Sequence, residues 1–244
     1  MFRIELLPAL HGDCILIEYG SSNSPCRVLI DGGPIGAYKI LSSRLDKLPL
    51  GKRRFELIVV THVDADHIEG AVRLLAERTR DLHFEDVWFN GWRHLDDRKG
   101  LLGAVSGEFL SALISKKIGT ERWNKAHPFV KGTIKIGDKN LPQTDIAGLK
   151  ITLLSPNSDK LDKLRKTWKK DVEGKNFQPG DLDEALKLLK LNRRLVPKGL
   201  LGGTYQEAGE SFKMDSAVAN GSSIALLAEF DGKSCLFLED AHPD

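Results

Sequence analysis

The sequence predicts a layered α/β fold. Apolar runs of strand length alternate with segments of helical periodicity, and clusters of Gly, Pro and Asp separate them. Apolar residues make up 41% of 244 residues, which is enough for a substantial core. With a net charge of only +2, this composition excludes a disordered chain. The 23 glycines and three cysteines exclude collagen-like and disulfide-stapled classes.

The first third of the chain is predicted to contain strands over residues 2–7, 14–19 and 27–30, followed by the breaker Asp-Gly-Gly-Pro. A helix is predicted near residues 40–48, where leucines recur at helical spacing. Residues 55–60 form a short apolar run rich in β-branched side chains, which is typical of a buried central strand. Another helix is predicted directly after residues 61–67.

The remainder is predicted to hold strands over 86–90, 133–136 and 149–154, a polar segment over 91–100 and a helix near 107–118. Residues 157–215 are rich in lysine and carry leucines at helical spacing. They predict a basic helical insertion within a single domain that spans residues 1–244. Strands over 223–230 and 234–238 are joined by an Asp-Gly hairpin turn.

Several features predict a cytoplasmic protein. There is no run of about 18 apolar residues, as a membrane span would require. The N-terminus alternates like a strand and lacks the basic and apolar regions of a secretory signal. Cys14, Cys26 and Cys235 lie in apolar runs without a CxxC pattern, so we expect reduced core thiols.

The chemistry-bearing segment is Thr-His-Val-Asp-Ala-Asp-His at residues 61–67. Clustered carboxylates repel one another at a strand end unless a cation neutralises them. His62 and Asp64 lie two residues apart and can point the same way. Asp66 and His67 come at the start of the following helix and can face a neighbouring ion, so a pair of divalent cations is predicted. The alternative is that an aspartate merely caps the helix.

This motif resembles the metal motif of the metallo-β-lactamase superfamily, whose usual form is His-x-His-x-Asp-His. The His-x-Asp-x-Asp-His form is similar to the ComEC-like branch, the metallohydrolase domains of competence DNA-uptake proteins. Flanking segments of that branch recur here in the same order. They are His-Gly-Asp at 11–13, Ile-Asp-Gly-Gly at 30–33, Asn-Gly-Ser-Ser-Ile at 220–224 and Leu-Glu-Asp-Ala at 238–241.

The resemblance implies a four-layer αββα sandwich and a two-cation site. It implies five metal ligands: His62, Asp64, Asp66, His67 and Asp240. Asp240 would bridge the two cations, and Asp66 or Asp240 would accept a proton during catalysis. The resemblance places Asp13 and Asp31 beside the site as orienting groups, whereas the residues alone also fit ordinary turn positions.

Two departures from the superfamily pattern shape the expectations. The strand end at residues 154–157 carries no imidazole where the superfamily places one. The sequence also stops four residues after Asp240, where the superfamily continues to a closing segment with a last ligand histidine. We therefore expect a sandwich without its C-terminal closing elements. Part of the second sheet should then lack cover, and we expect an exposed apolar patch there, or a partner chain that completes the C-terminal part of the fold.

The site chemistry predicts a hydrolase. Asp64 replaces the usual nitrogen donor with an anionic oxygen, which shifts the preference toward manganese, with zinc as the alternative. Two such cations activate water and clamp phosphoryl oxygens, so phosphodiester bonds of a nucleic acid or nucleotide are the expected substrate. Two alternatives stay open: a hydrolase of esters, lactones or thioesters, and a degenerate domain that binds without turnover.

The segment after the strand at 86–90 offers further candidates. Trp92 could stack on a base, Arg93 could hold a phosphate, and His94 could serve as another ligand or a proton donor. The favoured alternative is a loop anchored by a partly buried tryptophan. The basic insertion could contact nucleic acid, but its lysines are interspersed with acidic residues, which favours a solvated helical face.

Overall fold

A computed structural model describes residues 1–77, 81–95, 105–137, 139–173, 178–197 and 216–242. The strands are β1 (Phe2–Leu6), β2 (Ile15–Ser21), β3 (Ser24–Ile30), β4 (Arg54–Phe55), β5 (Leu57–Val59), β6 (His83–Phe84), β7 (Val87–Trp88), β8 (Gln143–Ile146), β9 (Leu149–Ser155), β10 (Ala225–Phe230) and β11 (Lys233–Phe237). The helices are α1 (Tyr38–Asp46), α2 (Ala65–Ala76), α3 (Trp92–Leu95), α4 (Val105–Leu113), α5 (Ser158–Glu173), α6 (Leu182–Leu191) and α7 (Ser216–Gly221). A π-helical turn, Ile114–Ile118, continues α4.

The first sheet has the strand order β1-β2-β3-β5-β7. Its first three strands are antiparallel, whereas β3, β5 and β7 run parallel, with Val59 opposite both Ile30 and Trp88. Every residue of β5 is fully buried, as expected for a parallel strand covered on both faces. The carboxyl ends of three parallel strands therefore lie side by side at one edge of the molecule, where open α/β sheets commonly bind ligands.

The second sheet is antiparallel, with the order β11-β10-β9-β8. One apolar cluster joins it to the first sheet, and no described helix contributes a side chain to this cluster. Its members from the first sheet include Ile17, Val28 and Val59; Ile151 and Leu226 come from the second. The two sheets thus pack face to face.

The helices cover the opposite face of the first sheet. A second cluster joins β3 and β5 to α1, α2 and α4 through buried leucines, alanines and aromatic residues. Helix α5 contributes Leu161, Leu164 and Trp168, which share one face at spacings of three and four residues. Helix α6 contributes Ala185 and Leu189. Within the described residues, no helix is both long enough and apolar enough to cross a membrane.

The prediction of a mixed α/β chain is confirmed, and the four-layer order stays a prediction. Leu236, in β11, and Leu238, which follows that strand, are 52% and 51% exposed. The strand predicted over residues 133–136 is wrong, because this segment joins no β-ladder. Instead, the Asn90 amide donates to the Ile134 carbonyl at 2.8 Å and accepts from the Ile134 N–H at 2.9 Å. At Ile134 a side chain thus takes the place of a neighbouring strand, whereas the N–H of Ile136 donates to the carbonyl of Pro156 at 2.8 Å.

Candidate metal centre

The segment from Thr61 to His67 is fixed between the two sheets. The N–H of Asp31, just after β3, donates to the carbonyl of Val59 at 2.8 Å. The N–H of Ile224, just before β10, donates to the carbonyl of Thr61 at 3.0 Å. These bonds join the ends of β3, β5 and β10 and fix the position of the loop relative to the three strands.

Two glycines, Gly12 and Gly32, allow close backbone contacts with the start of helix α2. A Cβ atom on Gly32 would lie 2.1 Å from the backbone nitrogen of Ala71, and one on Gly12 would lie 1.8 Å from the carbonyl oxygen of Asp66. Neither distance is possible for real atoms, so only glycine allows both approaches. The N–H of Gly32 also donates to the His67 carbonyl at 2.9 Å. The turns predicted at 11–13 and 30–33 therefore set the start of α2.

Two buried imidazoles form the inner wall of the site. His62 and His67 are 2% and 1% exposed, and their ring centroids lie 4.1 Å apart. Both rings point Nε2 toward the same carboxylate: the Oδ2 atom of Asp240 lies 3.8 Å from Nε2 of His62 and 3.3 Å from Nε2 of His67. Asp240 thus faces the two rings together.

The hydrogen bonds around His62 assign its tautomer. The Thr61 hydroxyl donates its only proton to Oδ2 of Asp31 at 2.5 Å, so it accepts from Nδ1 of His62 at 3.0 Å. The Ser223 hydroxyl lies 3.1 Å from the same nitrogen. Burial, and then the charge of His67, lowers the pKa of His62 well below its ordinary value, although a hydrogen bond with Asn220 opposes the shift. His62 is therefore neutral, with its Nε2 lone pair directed into the site.

His67 is held by Asp31. Its Nδ1 atom donates to Oδ2 of Asp31 at 2.8 Å, which again leaves Nε2 facing the site. Burial would lower the pKa of His67, but the hydrogen bond and charge of Asp31, followed by the charges of Asp66 and Asp240, raise it to about 10. The negative charge that raises this pKa is the same charge that would attract a cation to Nε2 of His67.

Two further carboxylate contacts complete the inner cluster. Asp64 occupies the N-cap position of α2, yet its side chain makes no capping hydrogen bond. Its Oδ2 atom lies 3.9 Å from Nε2 of His62, and Oδ2 of Asp66 lies 4.0 Å from Nε2 of His67. The capping alternative therefore does not account for Asp64. Each imidazole faces one aspartate of its own and shares Asp240.

Asp31 is an orienting group in this arrangement. It is fully buried, and its carboxylate accepts from the Thr61 N–H at 2.8 Å, from the Thr61 hydroxyl and from His67 Nδ1. Asp31, His62 and His67 do bring ligand atoms within 4.8 Å of one another. Because three donors already occupy the Asp31 oxygens, we assign this residue to fixing the two histidines.

Asp13 and Glu239 approach the cluster from the His67 side. Their carboxylates and a ring nitrogen of His67 lie within 4.8 Å of one another. Burial, followed by the charges of Asp31 and Asp13, raises the pKa of Glu239 to about 9, and the Glu239 carboxyl hydrogen-bonds Asp13. Sequence reasoning missed Glu239. The available signal was a glutamate at the position where the resembling branch has glycine.

The three predicted substrate residues, Trp92, Arg93 and His94, make their described contacts with aromatic side chains. Trp92 is buried, with its ring centroid 6.4 Å from that of Trp168, so it offers no open face to a base. The exposed Arg93 guanidinium lies over the Trp123 ring at 5.3 Å. His94 meets the same ring edge-on at 4.7 Å. None of the contacts described for these three side chains reaches the imidazole–carboxylate cluster. Their placement agrees with the alternative of a loop anchored by a tryptophan.

The cluster fits a divalent metal. Ligand atoms about 2.1 Å from one ion lie roughly 3–4 Å from one another. The contacts between Nε2 and carboxylate oxygens here span 3.3–4.0 Å. A neutral Nε2 lone pair that faces two carboxylates is unfavourable unless a cation lies between them. The donor set of His62, Asp64, Asp66, His67 and Asp240 is thus chemically suited to metal binding.

Comparison with known proteins gave one distant likeness to report. No protein-family model matches the chain, and no curated protein matches it. A solved structure from Cronobacter sakazakii, a metallo-β-lactamase with a HARLDQ motif, is similar at 14% sequence identity and a TM-score of 0.28. The match covers 62% of this chain and 46% of that one, so the match takes in less than half of that protein. The assignment of the site therefore depends on the residues of this chain.

Proposed function

We propose that this protein is a metal-dependent hydrolase that uses two divalent cations, manganese by preference and zinc as the alternative, to cleave phosphodiester bonds in a nucleic acid or nucleotide. One observation carries the proposal. The Nε2 atoms of two buried imidazoles face a shared carboxylate, and each faces a further carboxylate of its own. Such an arrangement is stable when cations occupy it.

The chain's own residues would divide the work. His62 and Asp64 would hold one cation, Asp66 and His67 would hold the other, and Asp240, which faces both imidazoles, would contribute to both positions. When bound, the pair of cations supplies an activated water near neutral pH and positive charge for phosphoryl oxygens. The histidines are buried, whereas the Asp66 and Asp240 side chains are 27% and 41% exposed, so water and substrate reach the site on its carboxylate side.

Asp66 and Asp240 are also the residues we propose as proton acceptors. Each presents a carboxylate oxygen at the exposed side of the cluster, where the attacking water must lose its proton. Asp31 cannot take this role, because it is fully buried and its oxygens are already occupied by donors. Asp31 instead keeps His67 in the orientation that ligand binding needs.

The choice of phosphodiesters follows from the donor set. Carboxylate oxygens outnumber imidazole nitrogens, which suits hard cations such as Mn²⁺ that bind phosphoryl oxygens. The basic helices do not strengthen the case for nucleic acid, because several of their cations pair with acidic neighbours. Lys187 pairs with Glu184 at 2.9 Å, and Arg165 lies 3.8 Å from Asp162. These helices present a mixed, solvated face.

The test is an activity profile with defined metals. Protein stripped with EDTA would be reloaded with Mn²⁺ or Zn²⁺, and the bound metal counted by mass spectrometry. It would then be assayed on bis(p-nitrophenyl) phosphate, single- and double-stranded oligonucleotides, p-nitrophenyl acetate, a lactone and a thioester. We expect Mn²⁺-stimulated phosphodiester cleavage. His62→Ala should abolish it, whereas His83→Ala should not, because His83 is a half-exposed histidine paired with Glu85.

The other outcomes are equally definite. Turnover of the lactone, ester or thioester alone would replace the phosphodiester assignment and keep the metal hydrolase. Less than one tightly bound ion per chain, together with no turnover of any substrate, would overturn the enzyme and favour a binding domain.

A further inference from the structure

Glu239 occupies an unusual backbone position beside the candidate metal centre. It follows β11 and precedes Asp240, with a φ of 48°, in the left-handed region that favours glycine. Its side chain turns inward: Oε2 is buried and has no hydrogen-bond partner among the described residues. The carboxyl group contacts Asp13 through a hydrogen bond. A buried carboxylate oxygen without a donor is a group that needs a partner.

The neighbours of Glu239 are metal-ligating types. Ligand atoms of Asp13, His67 and Glu239 lie within 4.8 Å of one another, and His67 is 1% exposed. These three side chains come from a turn before β2, the start of α2 and the end of β11, so the fold brings them together from three elements. A cation at this point would contact both carboxylates and the imidazole.

We propose that Glu239, together with Asp13, completes the ligand set of the cation held by Asp66 and His67. This inference rests on the proposed function and adds to it an asymmetry between the two cation positions. The position at His67 would have one nitrogen and up to four carboxylate donors, whereas the position at His62 has one nitrogen, Asp64 and the shared Asp240. The His67 position is therefore the one that selects a hard, oxygen-preferring cation such as Mn²⁺ over Zn²⁺.

The chain offers a matched pair of variants for the test. Asp231, in the hairpin turn between β10 and β11, is also a non-glycine residue in the left-handed region, with a φ of 51°, and it is exposed. Glu239→Gly and Asp231→Gly both relieve a positive φ, but only the first removes a carboxylate from the centre. Glu239→Gln keeps the size of the side chain and removes its charge, which guards against a misfolded glycine variant.

The measurement is Mn²⁺ and Zn²⁺ binding to the EDTA-stripped full chain, by calorimetry and by electron paramagnetic resonance for Mn²⁺. We expect two Mn²⁺ sites in the native protein. Glu239→Gly and Glu239→Gln should each weaken one Mn²⁺ site about 10- to 100-fold and weaken Zn²⁺ less, as loss of a group that tunes a metal site does. Asp231→Gly should leave both affinities unchanged.

The failures are distinguishable. If both Glu239 variants bind two Mn²⁺ ions with native affinity while His67→Ala loses one, the role of Glu239 is overturned and the proposed function stands. If the native chain binds neither Mn²⁺ nor Zn²⁺, the proposed function and the inference both fail. Equal weakening by Asp231→Gly and Glu239→Gly would assign the effect to hairpin backbone conformation and also overturn the inference.

Discussion

Two neighbouring loops of this protein each bury histidine, and they do so in opposite ways. One follows β5 and carries His62 and His67; the other follows β7 and carries His94. In the first loop each ring has its Nδ1 hydrogen-bonded and its Nε2 facing carboxylates. In the second, neither nitrogen of His94 has a hydrogen-bond partner among the described residues, and the ring packs edge-on against Trp123.

The comparison shows that carboxylates, and not burial, distinguish a candidate ligand. Burial, and then the Arg93 charge, lowers the pKa of His94 to about 3. Burial also lowers the pKa of His62, whereas Asp31 raises that of His67 to about 10. The direction of a pKa shift therefore does not separate the two loops. Acidic groups that converge on Nε2 occur only in the first loop, within the part of the chain that the structure describes.

The largest expected effect comes from making the same change in both loops. His67→Phe removes a ligand and should reduce metal-stimulated hydrolysis about 1,000-fold, since a catalytic metal contributes several kcal/mol and 1.36 kcal/mol is tenfold in rate. His94→Phe should leave the rate within about twofold, because its ring contacts an aromatic core and no carboxylate. Initial rates with saturating Mn²⁺ test both, after circular dichroism has established that each variant folds. A large loss in His94→Phe would erase the distinction between the loops.

The next largest effect concerns Asp31, the carboxylate that orients His67. Asp31→Asn leaves one acceptor oxygen for three donors, so His67 loses its fixed orientation, and metal affinity should fall about 10- to 100-fold. The control is Asp86→Asn. Asp86 is also a buried carboxylate saturated by donors, including the Val87 N–H at 2.8 Å and the Trp88 Nε1–H at 3.0 Å, but it faces no histidine.

Asp86→Asn should therefore lower the free energy of unfolding by about 1–3 kcal/mol and leave the metal affinity unchanged. Calorimetric metal titration and chemical denaturation separate the two results. Equal metal affinity in Asp31→Asn and the native chain would show that Asp31 serves only the fold.

What the sequence predicts well is what local pattern determines. Residues 62–67 are close in the sequence and follow an apolar strand. Their side chains can therefore converge without contributions from distant parts of the chain. Asp240 and Asp31 came from resemblance, and the structure brings both to the cluster. The role of all these residues as ligands or orienting groups stays a prediction until metal is measured.

What the sequence could not predict depends on distant partners. Glu239 matters through a left-handed φ and a contact with Asp13 at the other end of the chain. A loop anchored by Trp92 was expected, but its packing partner was not: Trp168 packs against it from α5. The strand β8, Gln143–Ile146, was missed because it alternates polar residues at the edge of its sheet. Local propensity carries none of these facts.

A smaller effect follows from the pKa of His94. The folded pKa of about 3 lies below the ordinary value of 6.5. The free energy of unfolding is therefore highest above pH 6.5, where His94 is neutral in both states, and it decreases as the pH falls toward 3. At pH 5 the loss is about 2 kcal/mol. His94→Phe removes the titration. The unfolding free energy of His94→Phe minus that of the native chain should therefore increase by about 2 kcal/mol between pH 7.5 and pH 5. Urea denaturation at the two pH values measures this difference. A constant difference would mean that His94 takes up its proton in the folded state.

The smallest expected effect concerns Arg93. Its guanidinium lies 5.3 Å from the centre of the Trp123 ring at an exposed site, a contact worth about 0.5–1 kcal/mol. Arg93→Gln should cost no more than that in stability and change the KM for an oligonucleotide less than about twofold. Arg54→Gln is the control, since Arg54 is an exposed arginine paired with Glu85 at 2.6 Å. Suppose instead that Arg93→Gln alone raises KM tenfold and flattens its salt dependence by about one charge. The loop after β7 would then hold substrate phosphate, and the two loops would form one site.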